Sequence, residues 1–557
     1  MIEERLRELI RTALQAAAPE LGIEGDLPEP ELLPTKQKEH GDFATNIALA
    51  LASRAGRSPR EVADAIRAVF PQAPFVERVE VAGPGFLNIF VTNDWLYDAL
   101  RDVVARGSDY GRAEPNGKRV QVEFVSSNPT GPLTIGHARN AAVGDALASL
   151  LNHQGWDVQR EYYFNDAGGQ VDRFGRSVEA RFLQLLDREA ELPEDGYQGE
   201  YIANIARDLL QTEGPGVADL PGDERFERLR DLGAQRILSG IKATLERFGV
   251  RFDVYRSESE LADAGEIDEA IRRLREAGFI DEADGAVWFR STDFGDDKDR
   301  VVIRSNGVHT YFAADCAYLI DKFARGFDHL IYVLGADHHG DVARWKGAAQ
   351  ALGFDPVAVE LVLYQFVAFL RSGEPVKMST RAGAFITLDQ LIDEVGTDAA
   401  RFTLLQFSND SAMNFDIEVV KQQTMENPVY YVQYGHARIA SILRKAGAEG
   451  VALKAIADVD LSLLSHESEI DLLRALAEVP AKLATAAELR SPHRLTHAAQ
   501  DLAARFHRFY TDCRVVSEDE ALTQARLWLC TGTKQVLMDL LALLGVSAPE
   551  VMERSDG

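Results

Sequence analysis

The stretch from Glu123 to Leu151, EFVSSNPTGPLTIGHARNAAVGDALASLL, constrains the fold more than any other part of the chain. Val120 to Val125 is a short apolar run rich in β-branched residues, the pattern of a strand. Asn128-Pro129 and Gly131-Pro132 follow, and both steps break regular structure. From Gly136 onward, Ala138, Ala142, Ala146 and Leu150 recur at helical spacing, with Leu147 and Leu151 beside them. Strand, tight loop and helix in this order open a doubly wound nucleotide-binding fold, in which the positive end of the first helix faces phosphates. The loop carries neither G-x-G-x-x-G nor G-x-x-x-x-G-K-[ST]. It ends in Thr134-Ile135-Gly136-His137. Gly136 lets the backbone approach a ligand, and His137 at the helix start can donate a hydrogen bond to a phosphate oxygen. Taken alone, the four residues read more simply as an ordinary helix start with a partly exposed histidine.

A second stretch far downstream changes that weighting. Val376-Lys377-Met378-Ser379-Thr380-Arg381-Ala382-Gly383 lies in a Gly-containing segment suited to a loop that closes over a triphosphate. The two stretches resemble the HIGH and KMSKS signatures of class I aminoacyl-tRNA synthetases. NPTGPLTIGHARN, YFNDAGGQ (163–170), LGADHHGD (334–341) and KMSTRAG look like arginyl-tRNA synthetases of bacterial type. The likeness runs from HGDFATNIAL (40–49) to LALLGVSAPEVM (541–552), nearly the whole chain. Two departures stand out. Thr134 occupies the position of the first His of HIGH, keeping a hydroxyl donor without an imidazole. Thr380 occupies the second Lys of KMSKS, and Arg381 the final Ser. Lys377 and Arg381 are then the candidate cations for pyrophosphate.

At 557 residues the chain is long enough for several domains, and a hydrophobic content of 46% supports large cores. Lys plus Arg number 60 against 88 Asp plus Glu, a net charge of −28. Such a chain is no general nucleic-acid binder by charge, so any tRNA contact must use local basic patches. Cys316, Cys513 and Cys530 are far apart and form no C-x-x-C pair, so neither a zinc knuckle nor a disulfide framework is expected. The thiols fit a reducing, cytoplasmic setting. The N-terminus mixes acids and bases throughout and lacks the apolar core of a signal peptide, and no apolar run is long enough to span a membrane.

In chain order, residues 2–18 read as an amphipathic helix, and Ser58-Pro59 as the cap and first turn of another. Val79 to Val91 reads as strands around a Gly-Pro-Gly turn. This α+β module ends near 115. A nucleotide fold runs from 116 to 426, with a charged and helical insertion at about 185–300 between two halves of the sheet. VVIR (301–304), LIYVLG (330–335) and ELVLYQFV (360–367) read as strands of the second half. The segment 374–383 is the KMSKS-type loop. Asn427-Pro428 breaks the chain, and 427–557 reads as all-helical. The expected architecture is a Rossmann-like α/β catalytic domain between an N-terminal α+β domain and a C-terminal helical bundle. By the resemblance, residues 1–115 contact the tRNA elbow and 427–557 bind the anticodon. Tyr430, Tyr434, Arg438 and Arg444 suit base stacking and phosphate contact, and equally suit a plain helical core with a basic edge.

The chemistry expected is attack by an amino-acid carboxylate on the α-phosphorus of ATP. That demands positioning and positive donors rather than covalent catalysis. The resemblance implies catalytic roles for His137, Lys377 and Ser379, and an ATP site of Thr134, Gly136, His137, Asp337, Lys377, Met378, Ser379 and Arg381. A guanidinium is planar with five donors and asks for carboxylates and hydroxyls in its plane. Tyr311 and Asp315, four apart at a helix start, share one face. The resemblance implies that they hold arginine together with Glu258, that Ser126 and Asn128 hold the α-amino and carboxylate groups, and that His137 and His338 line the site. Glu123, at the strand end, is a further candidate. ATP with Mg2+, L-arginine and tRNA(Arg) are the implied substrates; a monomer with no structural metal, no DNA and no membrane partner is expected. Two other readings stay open. One is a class I synthetase for another amino acid, against which Tyr311, Asp315 and Glu258 argue. The other is a catalytically silent relative, against which Gly136, His137, Lys377 and Ser379 argue.

Overall fold

The computed structural model describes residues 2–35, 37–376 and 385–552. In chain order the elements are α1 (Ile2–Leu21), β1 (Leu33–Pro34), β2 (Phe43–Thr45), α2 (Ile47–Ala55), α3 (Pro59–Ala68), β3 (Val76–Ala82), β4 (Phe86–Val91) and α4 (Asp94–Arg106). Then come β5 (Arg119–Glu123), α5 (Ile135–His153), β6 (Asp157–Phe164), α6 (Gly169–Gln184), α7 (Glu200–Glu213), α8 (Gly222–Arg247), β7 (Val254–Ser257), α9 (Glu258–Asp263) and α10 (Glu266–Glu276). They are followed by β8 (Ile280–Ala283), β9 (Ala286–Phe289), β10 (Arg300–Ile303), α11 (Tyr311–Ala324), β11 (His329–Gly335), α12 (Asp341–Ala351), β12 (Val359–Tyr364), β13 (Val367–Arg371) and β14 (Glu374–Pro375). The chain ends with α13 (Leu388–Val395), α14 (Thr397–Leu404), β15 (Met413–Asp416), α15 (Ile417–Val420) and four long helices, α16 (Pro428–Ala448), α17 (Glu467–Glu488), α18 (His493–Asp512) and α19 (Glu520–Leu543). No helix among the described residues is long and apolar enough to cross a membrane.

These elements form two compact units. The smaller takes the chain up to Gly111 with Arg438–Ala481 and Asp501–Leu537; the larger takes Arg112–Ala437, Lys482–Gln500 and the chain from Met538. In the smaller unit an antiparallel sheet runs in the order β1-β2-β4-β3. The Ser58 signal works as the sequence predicts. The Ser58 hydroxyl accepts from Glu61 N–H at 3.3 Å and Glu61 accepts from Ser58 N–H at 2.9 Å, a capping box with Pro59 in the first turn. Buried Tyr97 and Tyr110 donate to the carbonyls of Leu464 and Leu476, at 3.0 and 3.1 Å, so the N-terminal segment and the C-terminal helices share one core there.

The larger unit is built on a five-stranded sheet, all parallel, in the order β12-β11-β5-β6-β7. β5 sits centrally because α5 crosses over to β6 on one side and the second half of the chain returns through β11 on the other. Val120, Val122, Leu330, Ile331 and Val333 of its central strands are all buried, as a sheet covered on both faces requires. α5 packs directly on β5, because a Cβ at Gly144 would overlap the Phe124 ring.

Three expectations need correction. The stretch 185–300 is not helical throughout: α7, α8, α9 and α10 are interrupted by β7, the edge strand of the main sheet, and by β8 and β9. VVIR belongs to β10, which pairs antiparallel with β9 in a separate three-stranded sheet with β8. ELVLYQFV is two strands, since β12 ends at Tyr364 and β13 enters another sheet, β14-β13-β15. The charge runs around them hid the short strands, because a four-residue edge strand shows too little of the period-two pattern to stand out. After the KMSKS-type segment helices α13 and α14 follow as expected, but β15 interrupts them.

Gly144→Ala is expected to destabilise the protein by about 1–3 kcal/mol, through overpacking against Phe124. Gly240→Ala, in α8 where a Cβ meets open space, is expected to stabilise by up to about 1 kcal/mol. Urea-unfolding midpoints of the two variants, moving in opposite directions from the parent, check this.

Candidate active site

Beyond β5 the chain enters an unusual conformation. Val125 has φ 65° and Ser126 φ 42°, both in the left-handed region that β-branched residues in particular avoid. Side chains hold them there. Asn140 on α5 accepts from Val125 N–H at 2.6 Å and donates to Val333 O on β11 at 2.9 Å. The Tyr162 hydroxyl donates to Ser127 O at 2.8 Å. Asn128 accepts from Asn165 N–H at 3.1 Å and donates to Gln170 at 2.7 Å.

Thr134 is the N-cap of α5, Gly136 is exposed, and His137 is half-buried. Thr134 N–H donates to His137 Nδ1 at 3.1 Å. A ring nitrogen that accepts carries no hydrogen, so Nε2 carries it. Burial lowers the His137 pKa, and the ring is neutral at pH 7. The helix N-terminus therefore presents an Nε2–H donor at the positive end of its dipole. Thr134 pairs with Thr387; Ile135 N–H donates to Ile386 O at 3.1 Å, and Leu388 N–H to Leu133 O at 2.8 Å. The chain just after the second motif is thus joined to the chain just before His137. Lys377, Met378, Ser379 and Arg381 lie outside the described residues, as does Thr380.

The carboxylates gather at the same ends of the strands. Tyr311, Asp315, Tyr318 and Lys322 fall on one face of α11, whose N-cap Thr310 accepts from Ala313 N–H. Tyr311 is 57% exposed and Asp315 half-buried. Burial pushes the Asp315 carboxyl up to about 7; Arg344 opposes this, while Glu123, Glu258 and Asp341 add to it. Glu258 opens α9 and accepts from the Tyr163 hydroxyl at 3.0 Å and from Asn165 Nδ2 at 2.8 Å. Burial raises its pKa, with the Tyr163 bond opposing. Asp166 fixes the turn that carries Glu258, accepting from Ser257 Oγ at 2.6 Å and from Ser259 N–H at 3.1 Å. Glu123 accepts from Lys322 Nζ at 2.5 Å and from Ser126 Oγ at 3.1 Å. His338 pairs with Asp341 at 2.9 Å, which raises its pKa, and Asp337 beside it is exposed.

The expected set therefore splits. Glu123, Ser126, Asn128, Glu258 and Asp315 are brought into one network of bonds and charges, with Tyr311 at the exposed start of Asp315's helix. Thr134, Gly136 and His137 sit at the N-terminus of α5, and Asp337 and His338 on the turn after β11. Tyr430 is buried at 7% exposure and stacks on Tyr434, centroids 6.1 Å apart. Arg438 lies 4.9 Å from the Tyr510 ring and 3.3 Å from His507, and Arg444 is exposed. Tyr163, Asn165, Asp166, Lys322 and Arg344 were missed. Only Lys322 left a signal of its own, as a lone lysine on the Tyr311/Asp315 stripe of an otherwise largely apolar helix.

The family model for the class I (R) tRNA synthetase catalytic domain matches residues 99–441. The arginyl tRNA synthetase N-terminal domain matches 4–91, and the DALR anticodon binding domain 432–552. The chain belongs to the arginyl-tRNA synthetase family. Arginine–tRNA ligases of Carboxydothermus hydrogenoformans and Syntrophotalea carbinolica are each 47% identical, the first over 94% of both chains and the second over 99% of this chain and all of its own. The fold matches that of the Thermus thermophilus arginyl-tRNA synthetase with a TM-score of 0.75 at 24% identity, covering 99% of this chain and 100% of that one.

Asp315 gives the free protein a pH signature. Its carboxyl is raised from 3.8 to about 7, so the folded state holds a proton that the unfolded state releases. Stability from this group is complete below about 4 and is lost as pH rises toward 7, at up to about 1.4 kcal/mol per unit. Asp315→Asn removes that loss. The variant's melting temperature is expected to exceed the parent's at pH 8, with the gap shrinking at pH 5, in paired thermal scans.

Proposed function

We propose that the chain is an arginine–tRNA ligase. It activates L-arginine with ATP, giving arginyl-adenylate and pyrophosphate, and then transfers arginine to the 3′ end of tRNA(Arg). The observation that carries this reading is the charge imbalance around α11. Glu123, Glu258 and Asp341 all add to the rise of the Asp315 carboxyl, while Lys322 is bound to Glu123 and Arg344 to Asp341. Asp315 and Glu258 retain acceptor capacity for a planar cation, which a guanidinium meets with parallel donors and an ammonium cannot. Tyr311 at the start of the same helix supplies a hydroxyl within the same stripe.

Activation is written in balance as attack of a carboxylate oxygen of arginine on the α-phosphorus, with the bond to the bridging oxygen breaking and pyrophosphate leaving. Ser126 and Asn128 hold the α-amino and carboxylate groups. Charge building on the phosphate oxygens is met by His137 Nε2–H and the amides at the start of α5, and by Lys377, Ser379 and Arg381. Thr134, Gly136, Asp337 and Met378 complete the nucleotide site. Mg2+ arrives on ATP as part of the substrate; among the described residues no group of three or more His, Cys, Asp or Glu could hold a metal. The N-terminal module, through about residue 115, serves the tRNA elbow, and the helices from 427 the anticodon, with Arg438 and Arg444 as phosphate contacts and Tyr430 and Tyr434 supporting the helix that carries them. The protein works as a cytoplasmic monomer.

Arginine-dependent ATP–pyrophosphate exchange, with and without tRNA, tests the reaction; its absence in both conditions would refute it. His137→Ala is expected to slow activation by about 10²–10³-fold, about 2.7–4 kcal/mol, as for loss of one transition-state donor, while the fold persists. Parental rates would sink the phosphate role.

Asp315→Asn keeps the side chain's size and removes its charge. The KM for arginine is expected to rise about 100-fold or more, since removing one partner of a buried pair costs about 3–5 kcal/mol, while the KM for ATP holds. Citrulline, neutral and of similar shape, should gain relative to arginine. In the parent the arginine KM is expected to rise as pH falls below about 7, where Asp315 takes up its proton, and the variant's KM should lose that step. An arginine KM in Asp315→Asn equal to the parent's would refute the guanidinium assignment.

A further inference from the structure

Lys322 is fully buried, in a helix whose neighbouring positions are almost all apolar. Its ammonium donates to Glu123 Oε2 at 2.5 Å and lies 4.1 and 3.9 Å from the ring centroids of Tyr318 and Tyr332. Burial lowers its pKa against the pull of Glu123 and Glu161. Glu161 has a cation of its own, accepting from Arg325 at 2.6 and 2.9 Å. Lys322 is therefore the counter-ion of Glu123. A buried ion pair is weak evidence for stability, because apolar replacements of both partners are often at least as stable. What distinguishes this pair is where its bonds lead.

From Glu123 the bonds run outward without a break. Ser126 Oγ donates to Glu123 Oε1 at 3.1 Å and accepts from Tyr163 N–H at 3.2 Å; the Tyr163 hydroxyl donates to Glu258 Oε2 at 3.0 Å. Tyr163 also stacks on Tyr318, centroids 4.4 Å apart, which returns the path to α11 one turn from both Asp315 and Lys322. Ser126 holds its left-handed φ while bonded to Glu123 on one side and Tyr163 on the other. A loop strained in this way keeps one conformation only if its surroundings over-determine it.

We infer that Lys322 is a positioning residue for amino-acid recognition. By anchoring Glu123 it fixes Ser126 and Tyr163, and through them the Glu258 carboxylate, in the arrangement that a guanidinium substrate requires. This rests on the reading of Asp315 and Glu258 as the guanidinium partners. Lys322 touches neither substrate; it sets the geometry of groups that do. Loss of a purely structural lysine would lower stability and depress every kinetic constant together. Loss of a positioning lysine raises the KM for arginine and spares the KM for ATP and kcat.

The test is pyrophosphate exchange with the full-length Lys322→Met protein, with melting temperature measured alongside. The arginine KM is expected to rise about 10–100-fold, the scale on which residues behind a ligand's direct contacts act, with the ATP KM and kcat at parental values. Lys322→Met leaves Glu123 without a counter-ion, so Lys322→Met/Glu123→Gln is measured as well; it removes both charges and keeps the volume. It is expected to melt near the parent and still show the raised arginine KM. A folded double variant with the parental arginine KM overturns the inference, as does a parental value in Lys322→Met. Asp315→Asn runs in parallel. If it too leaves the arginine KM unchanged, the guanidinium reading itself fails; if it alone raises the KM, only the role of Lys322 fails.

Discussion

One amide side chain fixes the geometry on which the rest of the site depends. Asn140 projects from the first turns of α5, accepting from Val125 N–H and donating to Val333 O. It thereby ties neighbouring strands β5 and β11 to the helix whose N-terminus carries His137. Without an acceptor in that place, the Val125 amide would be left unpaired in a left-handed turn, and an unpaired buried donor costs about 1–3 kcal/mol. Arg139, next along the helix and fully buried, extends the tie. It donates to Gln365 O at 2.6 Å, Ser411 O at 3.0 Å and Ser408 O at 2.9 Å. Gln365 follows β12, so three neighbouring strand ends are held by two consecutive side chains.

The same helix is clamped again about one and a half turns later. Asp145 accepts from Arg160 at 3.1 Å and from the fully buried Arg401 at 2.6 Å, and Arg401 donates onward to Phe248 O at 3.0 Å and Leu544 O at 2.9 Å. Gly545 is required beside it, since a Cβ there would overlap the guanidinium. The C-terminal residues around Leu544 are therefore part of the support for the α5 helix, and do not merely follow it in sequence. Burial of so much polarity is tolerated because nearly every donor in the cluster finds a carbonyl or carboxylate.

Charge is used locally and against the overall composition. The chain carries a net charge of −28, yet its candidate chemistry needs donors at the phosphates and acceptors at the amino acid. The start of α5 carries no formal charge; its donor is a neutral imidazole at the positive end of the helix dipole, and a fixed dipole in a half-buried place requires no counter-ion. On the acceptor side, burial pushes the Asp315 carboxyl up to about 7, and the carboxylates crowded around it, Glu123, Glu258 and Asp341, add to the rise. That crowding is stable because Glu123 and Asp341 each have a bound cation, which leaves Asp315 and Glu258 as the unbalanced pair.

Much of this was legible in the chain itself. The strand-loop-helix around Thr134, Gly136 and His137 declared itself because local chemistry dictates it: prolines break, alanines and leucines repeat, and the helix starts where the N-cap sits. The cap at Ser58, the break at Asn427-Pro428 and the Tyr311/Asp315 spacing were readable for the same reason, since each is decided within a few residues. The short strands β7 and β10 were not, because pairing partners rather than local periodicity make a four-residue segment a strand. Nor were the roles of Tyr163, Asn165 and Lys322, whose partners lie from tens of residues to 199 residues away. The sequence by itself determined which residue types the site contains and which helix presents them. Tertiary structure alone decided which carboxylates are already neutralised by a bound cation, because counter-ion pairing depends on the three-dimensional neighbourhood, which spacing along a chain does not encode.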